Sequence, residues 1–220
     1  MRLIKYSHSC IRLEGDAVLV VDPGSFSERS ALDGVDAVLI THEHQDHLNL
    51  DALTDALAAR PEVRVFTHAE VVPKLGDLAS VTTAVRSGDE FTAAGFALRA
   101  YGGLHAPIHP DVPQVANLGY LIDGRVYHPG DSFDVPDVPV DTLFVPVSAP
   151  WLRAADSIDF VRAVKPRRAY ALHDALLNDN GFWLSDMLMT GLSGTEYHRL
   201  GAGESVPLAP LDPRDASVDA

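Results

Sequence analysis

The chain has 220 residues, 46% of them hydrophobic and 22% charged, which supplies a normal core and rules out disorder as the main state. With 17 Lys and Arg against 31 Asp and Glu the formal net charge is −14. That balance argues against a general nucleic-acid or anionic-membrane surface, because both need a basic footprint. The lone cysteine, Cys10, has no internal partner, which fits a reducing compartment. No run approaches the ~18 apolar residues of a membrane span, and the opening Met1–His8 lacks the apolar stretch of a secretory signal. A cytoplasmic protein is expected. At ~150 residues per domain the length suits a single domain over residues 1–208, followed by a Pro/Asp/Ala-rich, frayed tail over 209–220.

The first half reads as short strands broken by turns. Leu3–Ser7 and Cys10–Leu13 are β-rich, Val18–Val21 is an apolar run stopped by Asp22-Pro23-Gly24, and Ala37–Thr41 is another buried strand. Leu50, Leu53 and Leu57 then recur at helical spacing, with Asn49 as N-cap and Pro61 past the end. Val63–Thr67 returns to strand, and Thr82–Arg86, Glu90–Ala93 and Phe96–Tyr101 follow as a hairpin-rich stretch. Leu118–Ile122 and Arg125–His128 flank Asp123-Gly124, a two-residue hairpin signal. Thr142–Val147 is a strand, Ala155–Val164 a helix closed by Pro166, and Ala169–Leu172 a strand. A last helix is predicted over 181–192 and a late strand over Glu196–Leu200. Strands outnumber helices and helices fall between strands in both halves, so sheets flanked by helices are expected.

Residues 42–47, His-Glu-His-Gln-Asp-His, lie between an apolar strand and the start of a helix. In an extended segment side chains two apart point the same way, so His42 and His44 can share one metal while Glu43 and Gln45 point away. Asp46 and His47, where the chain turns into the helix, can face a second ion. Imidazoles with one carboxylate suit zinc, and also manganese or iron. Three later residues, His105, Asp131 and His173, each follow a predicted strand end, where a rigid sheet scaffold can gather ligands on one rim.

This succession, Thr41-His-x-His-x-Asp-His47, then His105, Gly130-Asp131 and His173, resembles the metallo-β-lactamase superfamily over about residues 3–205. Ser7-His8-Ser9-Cys10, Val20-Val21-Asp22-Pro23 and Tyr127-His128-Pro129-Gly130-Asp131-Ser132 look most like its branch of small cytoplasmic hydrolases that includes ascorbate-phosphate lactonase-like proteins. The resemblance implies an α/β fold of the four-layer αββα type with the site on one edge of the two sheets. It implies that His42, His44 and His105 hold one metal, that Asp46, His47 and His173 hold a second, and that Asp131 bridges them. Asp22 would orient a ligand histidine from behind. His8 and His128, each near the proposed rim, are candidates for the same supporting role or for proton donation. Asp46 and Asp131 carry the chemistry: two divalent ions would convert a bridging water to hydroxide near neutral pH, for attack on a small ester, lactone, amide or phosphodiester.

Some features depart from known branches. Leu48-Asn49-Leu50 replaces the glycines that follow the motif in glutathione-thioester hydrolases, and His44 stands where flavodiiron oxygen reductases carry Glu. No basic arm like that of the RNA-processing members is present, and ascorbate-phosphate lactonases are longer. A small-molecule substrate is therefore expected, with no nucleic acid and no membrane as partner; a non-catalytic metal-binding protein and a nuclease are the rival readings. Of the other histidines, His68 is read as a helix cap, His109 as a loop residue near the mouth and His198 as structural. Trp151 and Phe182-Trp183 are read first as core, with Trp151 placed so that it could also wall a pocket.

Overall fold

A computed structural model describes residues 1–208, so the expected tail over 209–220 lies outside the described residues. Six strands come first: β1 (Arg2–Lys5), β2 (Ile11–Glu14), β3 (Val18–Val21), β4 (Ala37–Leu39), β5 (Arg64–His68) and β6 (Thr82–Val85). Seven form a second sheet in reverse chain order: β7 (Glu90–Ala93), β8 (Phe96–Leu104), β9 (Ala116–Ile122), β10 (Val126–His128), β11 (Thr142–Pro146), β12 (Arg168–Leu172) and β13 (Glu196–His198). β14 (Ser205–Pro207) then crosses back to pair antiparallel with β1, which completes the first sheet. Each sheet is mixed. β3 to β6 and β10 to β13 run parallel, and the remaining pairs are antiparallel.

Alternation along the strands dictates the layers. In β4, Ala37 and Leu39 face the core between the sheets, whereas Val38 faces the other way, toward Leu53 and Leu57 of α1 (Leu50–Ala59). In β11 and β12, Phe144, Tyr170 and Leu172 face the same central core, while Leu143, Val145, Ala169 and Ala171 face α2 (Ala154–Val164) and α3 (Asp179–Leu192). Strands buried on both faces read as continuous apolar runs rather than as an alternating pattern, which is how these segments look in the sequence. Helix, sheet, sheet, helix is the resulting order, the expected αββα sandwich. The Asn49 cap is present: its side chain accepts the Ala52 N–H.

Several boundaries differ from expectation for physical reasons. The strand expected over Leu3–Ser7 stops at Lys5, because Tyr6 to Cys10 form a tight turn closed by Tyr6 N–H on the Cys10 carbonyl. The strand expected to reach Thr41 stops at Leu39, and residues 42–47 are a series of bends rather than extended chain. β8 runs on to Leu104, through Gly102 and Gly103, and so delivers His105 directly at its end. A 3₁₀ stretch over Val72–Val81, kinked at Gly76, carried no clear helical period in the sequence.

Candidate metal centre

Every ligand-type residue singled out above follows the C-terminal end of a strand. His8 follows β1, Asp22 β3, the 42–47 segment β4, His105 β8, Asp131 β10 and His173 β12. Their side chains converge in two groups, His42, His44, His105 and Asp131 in one and His8, Asp46, His47 and His173 in the other. Within each group the candidate donor atoms lie within 4.8 Å of one another. Asp131 joins the two: its Oδ2 is 3.2 Å from His105 Nε2 and 3.1 Å from His173 Nε2, and its Oδ1 is 3.1 Å from His47 Nε2.

The outward partner of each ring sets its tautomer, since a carboxylate or carbonyl oxygen can only accept. His47 Nδ1 donates to Asp22 Oδ2 at 2.7 Å, His105 Nδ1 to the Ala106 carbonyl at 2.5 Å, and His173 Nδ1 to the Ser148 carbonyl at 2.6 Å. Thr41 Oγ1 gives its proton to Asp22 Oδ2 at 2.6 Å and therefore accepts from His42 Nδ1 at 2.9 Å. All four rings thus turn Nε2 inward, and in the neutral form that nitrogen has its lone pair free for a metal. Asp22, a buried residue, anchors one ligand of each group and also accepts the Thr41 N–H.

His8 is wired differently. Its Nε2 faces the Asp46 carboxylate at 3.0 Å and so carries the proton, while Nδ1 accepts from Ala175 N–H at 3.4 Å. The ring therefore orients Asp46 from behind, and at 1% exposure it does not reach the cavity. His128 is also buried and also behind the donors. It donates from Nε2 to the Ser9 carbonyl and accepts from Gly130 N–H, which braces the turn that presents Asp131.

Three supports escaped sequence reasoning, and Trp151, read as a possible pocket wall, lines the cavity and has a further role. Asn117 accepts Asp131 N–H and donates to the Pro129 carbonyl, and Gly130, at φ 61°, packs so close that a Cβ would lie 2.3 Å from Asn117 Oδ1. Gly24 lies under the motif loop, where a Cβ would meet the Asp46 carbonyl at 1.7 Å; the Asp22-Pro23-Gly24 breaker is a cradle as well as a bend. Lys5, 1% exposed, donates to the carbonyls of Tyr6 and His8 and reaches Asp174 Oδ1 at 3.3 Å, which ties the His8 turn to the His173 turn. Trp151 Nε1 donates to Asp131 Oδ2 at 3.1 Å. A lysine directly after the apolar pair Leu3-Ile4 was the readable signal for the third; the first two show none that distinguishes them from ordinary turn and strand residues. His8, Asp22 and His173 all have positive φ, half of the six such non-glycine residues among those described, so strain of about 1–3 kcal/mol each is concentrated here.

Charge at the site follows from this wiring. Burial alone would raise Asp131, yet His47, His173 and His42 hold it well below the usual carboxylate range. Burial alone would lower His173 and His47, but Asp131 raises both, with Asp46 helping to bring His173 to about 9 and Asp22 assisting at His47. Burial dominates at His42 and His44, whose values fall, with the neighbouring imidazoles pushing the same way. Asp131 Oδ1 is buried with no well-aligned hydrogen bond, although His47 Nε2 lies 3.1 Å away. A buried carboxylate ringed by inward Nε2 atoms is what a divalent cation satisfies, so the donor set fits two metal ions.

A cavity of about 260 Å³ opens over the donors, lined among others by His44, Asp46, His105, Asp131, His173 and Trp151. Gln45 also lines it, contrary to the expectation that it points away, because the bent backbone does not keep strand alternation; Glu43 does turn aside, to pair with Lys74. Trp183 is 66% exposed rather than core, since α3 buries only Met189. His68 ends β5 and accepts Glu70 N–H, so it caps no helix; His109 and His198 are exposed and take local partners, Asp111 and Glu196.

Sequence and fold comparisons agree with this geometry. A family model described as a beta-lactamase superfamily domain matches residues 2–173. The chain is 35% identical over 207 residues to protein Rv0786c of Mycobacterium tuberculosis, covering 91% of this chain and 96% of that one. It is 24% identical over 190 residues to the UPF0173 metal-dependent hydrolase Ta0764 of Thermoplasma acidophilum, covering 79% and 83%. In fold it resembles Igni18, a metallo hydrolase of Ignicoccus hospitalis, with a TM-score of 0.71 at 19% identity over 93% of this chain and 97% of the other. Two mixed sheets between helices, six strand ends converging on paired His/Asp groups, and a family match over most of the chain place this protein in the metallo-β-lactamase superfamily of metal-dependent hydrolases.

Proposed function

We propose that the chain is a dinuclear hydrolase that cleaves a small ester, lactone, amide or phosphodiester, with zinc as its metal ahead of manganese or iron. One observation carries this reading: Asp131 lies between the two donor groups, 3.1–3.2 Å from Nε2 of His105, His47 and His173, and its buried Oδ1 has no well-aligned hydrogen bond. His42, His44 and His105 would hold one ion, Asp46, His47 and His173 the other, and Asp131 both. Bound there, the ions would supply an acidified water and polarise the scissile bond.

The chain's own residues do the rest. Asp22 keeps Nδ1 of His47 protonated directly, and that of His42 through Thr41, so both rings present Nε2. His8 holds the Asp46 carboxylate, and Lys5 holds the His8 turn. Hydrolysis consumes one water: its oxygen joins the attacked carbon or phosphorus, the bond to the leaving group breaks, and a proton goes to that group. A reducing, cytoplasmic setting fits the lone cysteine, which burial pushes up to about 12 and keeps unreactive. Small molecules fit the modest cavity, and the −14 charge disfavours nucleic acid or an anionic membrane as partner.

Elemental analysis of protein reconstituted with zinc, followed by a screen of chromogenic esters and phosphodiesters, tests the reading. Two ions per chain with turnover are expected. One ion or none would break the dinuclear assignment, two ions without turnover would favour a binding protein, and salt-dependent binding and cleavage of single-stranded nucleic acid would favour a nuclease.

A further inference from the structure

The cavity over the donors has two unlike sides. Its floor is the His/Asp cluster, and its walls are Phe26, Ile108, Pro150, Trp151 and Leu176. Phe26 and Leu176 are 41% and 59% exposed, and both stand at this mouth. They come from separate loops, after β3 and after β12, while Trp151 comes from the loop after β11 and Ile108 from the loop after β8. Four loops converging with apolar side chains make a wall rather than a scatter of surface residues.

Fixed positive charge is missing from this surface. Among the described residues no lysine or arginine lines the cavity. Lys74 is paired with Glu43 of the motif loop, and Lys5 is buried behind the donors on Asp174 and carbonyls. The indole N–H of Trp151 is committed to Asp131, which leaves the Gln45 side chain as the polar group at the rim. A substrate with charges beyond the reacting centre would therefore lose its hydration there without a counter-charge, at a cost it need not bear elsewhere. A volume of about 260 Å³ is also below the ~300–1,000 Å³ of sites for drug-sized ligands, and two ions would occupy part of it.

We propose that the substrate is an uncharged carboxylic ester or lactone with a short apolar acyl group, which packs against Trp151, Phe26 and Leu176 while its carbonyl faces the donors. The inference rests on the hydrolase reading above and narrows it. Water adds its oxygen to the acyl carbon, the C–O bond to the alcohol breaks, and the alcohol leaves with a proton.

The test uses full-length protein with both ions loaded, p-nitrophenyl acetate, butyrate and hexanoate, and bis(p-nitrophenyl) phosphate as the anionic comparison. KM should fall about twofold or more per added methylene, up to the roughly fourfold of complete burial, until the cavity is full, with kcat little changed. kcat/KM for butyrate should exceed that for the phosphodiester at least tenfold. Leu176→Ala should raise KM for butyrate and hexanoate more than for acetate. Binding is read separately: in a Trp183→Phe variant Trp151 is the sole remaining tryptophan, and butyrohydroxamate should quench it at lower concentration than acetohydroxamate. A faster phosphodiester, or chain length without effect on both KM and quenching, would overturn the proposal. Chain-length-dependent quenching with no hydrolysis of any substrate would support the apolar pocket and overturn the hydrolase reading instead.

Discussion

The two donor groups differ most in their protons. In the group of His42, His44 and His105, burial and mutual repulsion push His42 and His44 down, so these rings are neutral well before a metal arrives. In the group built on Asp46, His47 and His173, the carboxylates more than offset burial and pull His47 and His173 up, so ion pairs hold the rings together. His42 and His44 are preset in the form that would bind a metal, whereas His47 and His173 would have to release protons to do so. The supports follow the same division. His8, Lys5 and Asp174 all brace the second group, whereas Asp22, Asp131 and Asn117 serve the first group or both.

The largest effect should follow removal of what the two groups share. Asp131→Ala should weaken both ions and cut hydrolysis on the order of 10³-fold, a loss of the size seen for key charge-stabilising groups. Metal stoichiometry and initial rates check it, and a variant that keeps full metal and full rate would remove Asp131 from the bridge. Asp22→Ala should weaken both ions about 100-fold, since the residue sets a ring in each group, directly or through Thr41. Loss confined to one ion in a calorimetric titration would show that the Thr41 relay does not matter.

A third change should separate the groups. His8→Gln should weaken only the second ion, about 30-fold, because His8 contacts Asp46 and no member of the first group by hydrogen bond. Equal weakening of both ions would mean that His8 acts on the loop as a whole. Circular dichroism of the variant separates that outcome from simple misfolding.

The same division explains what was legible in the sequence. Residues 42–47 pack four predicted ligands into six positions, and that density is readable without any fold. His105, Asp131 and His173 were readable because each follows a strand, and strand ends can be located from apolar runs. The layers were readable for the same reason, since Val18–Val21 and Thr142–Val147 are apolar on both faces. His8 could be placed near the rim but not wired, because its partners Asp46 and Ala175 lie 38 and 167 residues away. Trp151 and Asn117 act through single hydrogen bonds to Asp131 that only the packed sheets create. Where expectation failed, as at Gln45 and at the end of β4, the backbone had left strand geometry to turn toward the helix, and alternation no longer applied.

A change of pH should separate the two groups by up to about tenfold per unit for each proton displaced. His173 is raised from an ordinary 6.5 to about 9: burial opposes the shift, and Asp131 and Asp46 drive it. Below pH 9 a metal must displace that proton, which alone should make affinity for the second ion rise by up to about tenfold per unit, and displacement of the proton on the raised His47 should steepen the rise further. The first ion should show a flatter profile above pH 7, because the lowered His42 and His44 have no proton left to give. Chelator-treated protein should show the opposite sign in stability. A raised pKa contributes stability that is fully present below the unfolded value near 6.5 and is lost as pH rises through 9. The chelated chain should therefore lose Tm between pH 7 and 9.5, while the zinc-loaded chain, whose His173 carries no proton to lose, should not. Parallel pH profiles for the two ions, or a chelated Tm that holds steady to pH 9.5, would mean that the carboxylates do not divide the site as its geometry indicates.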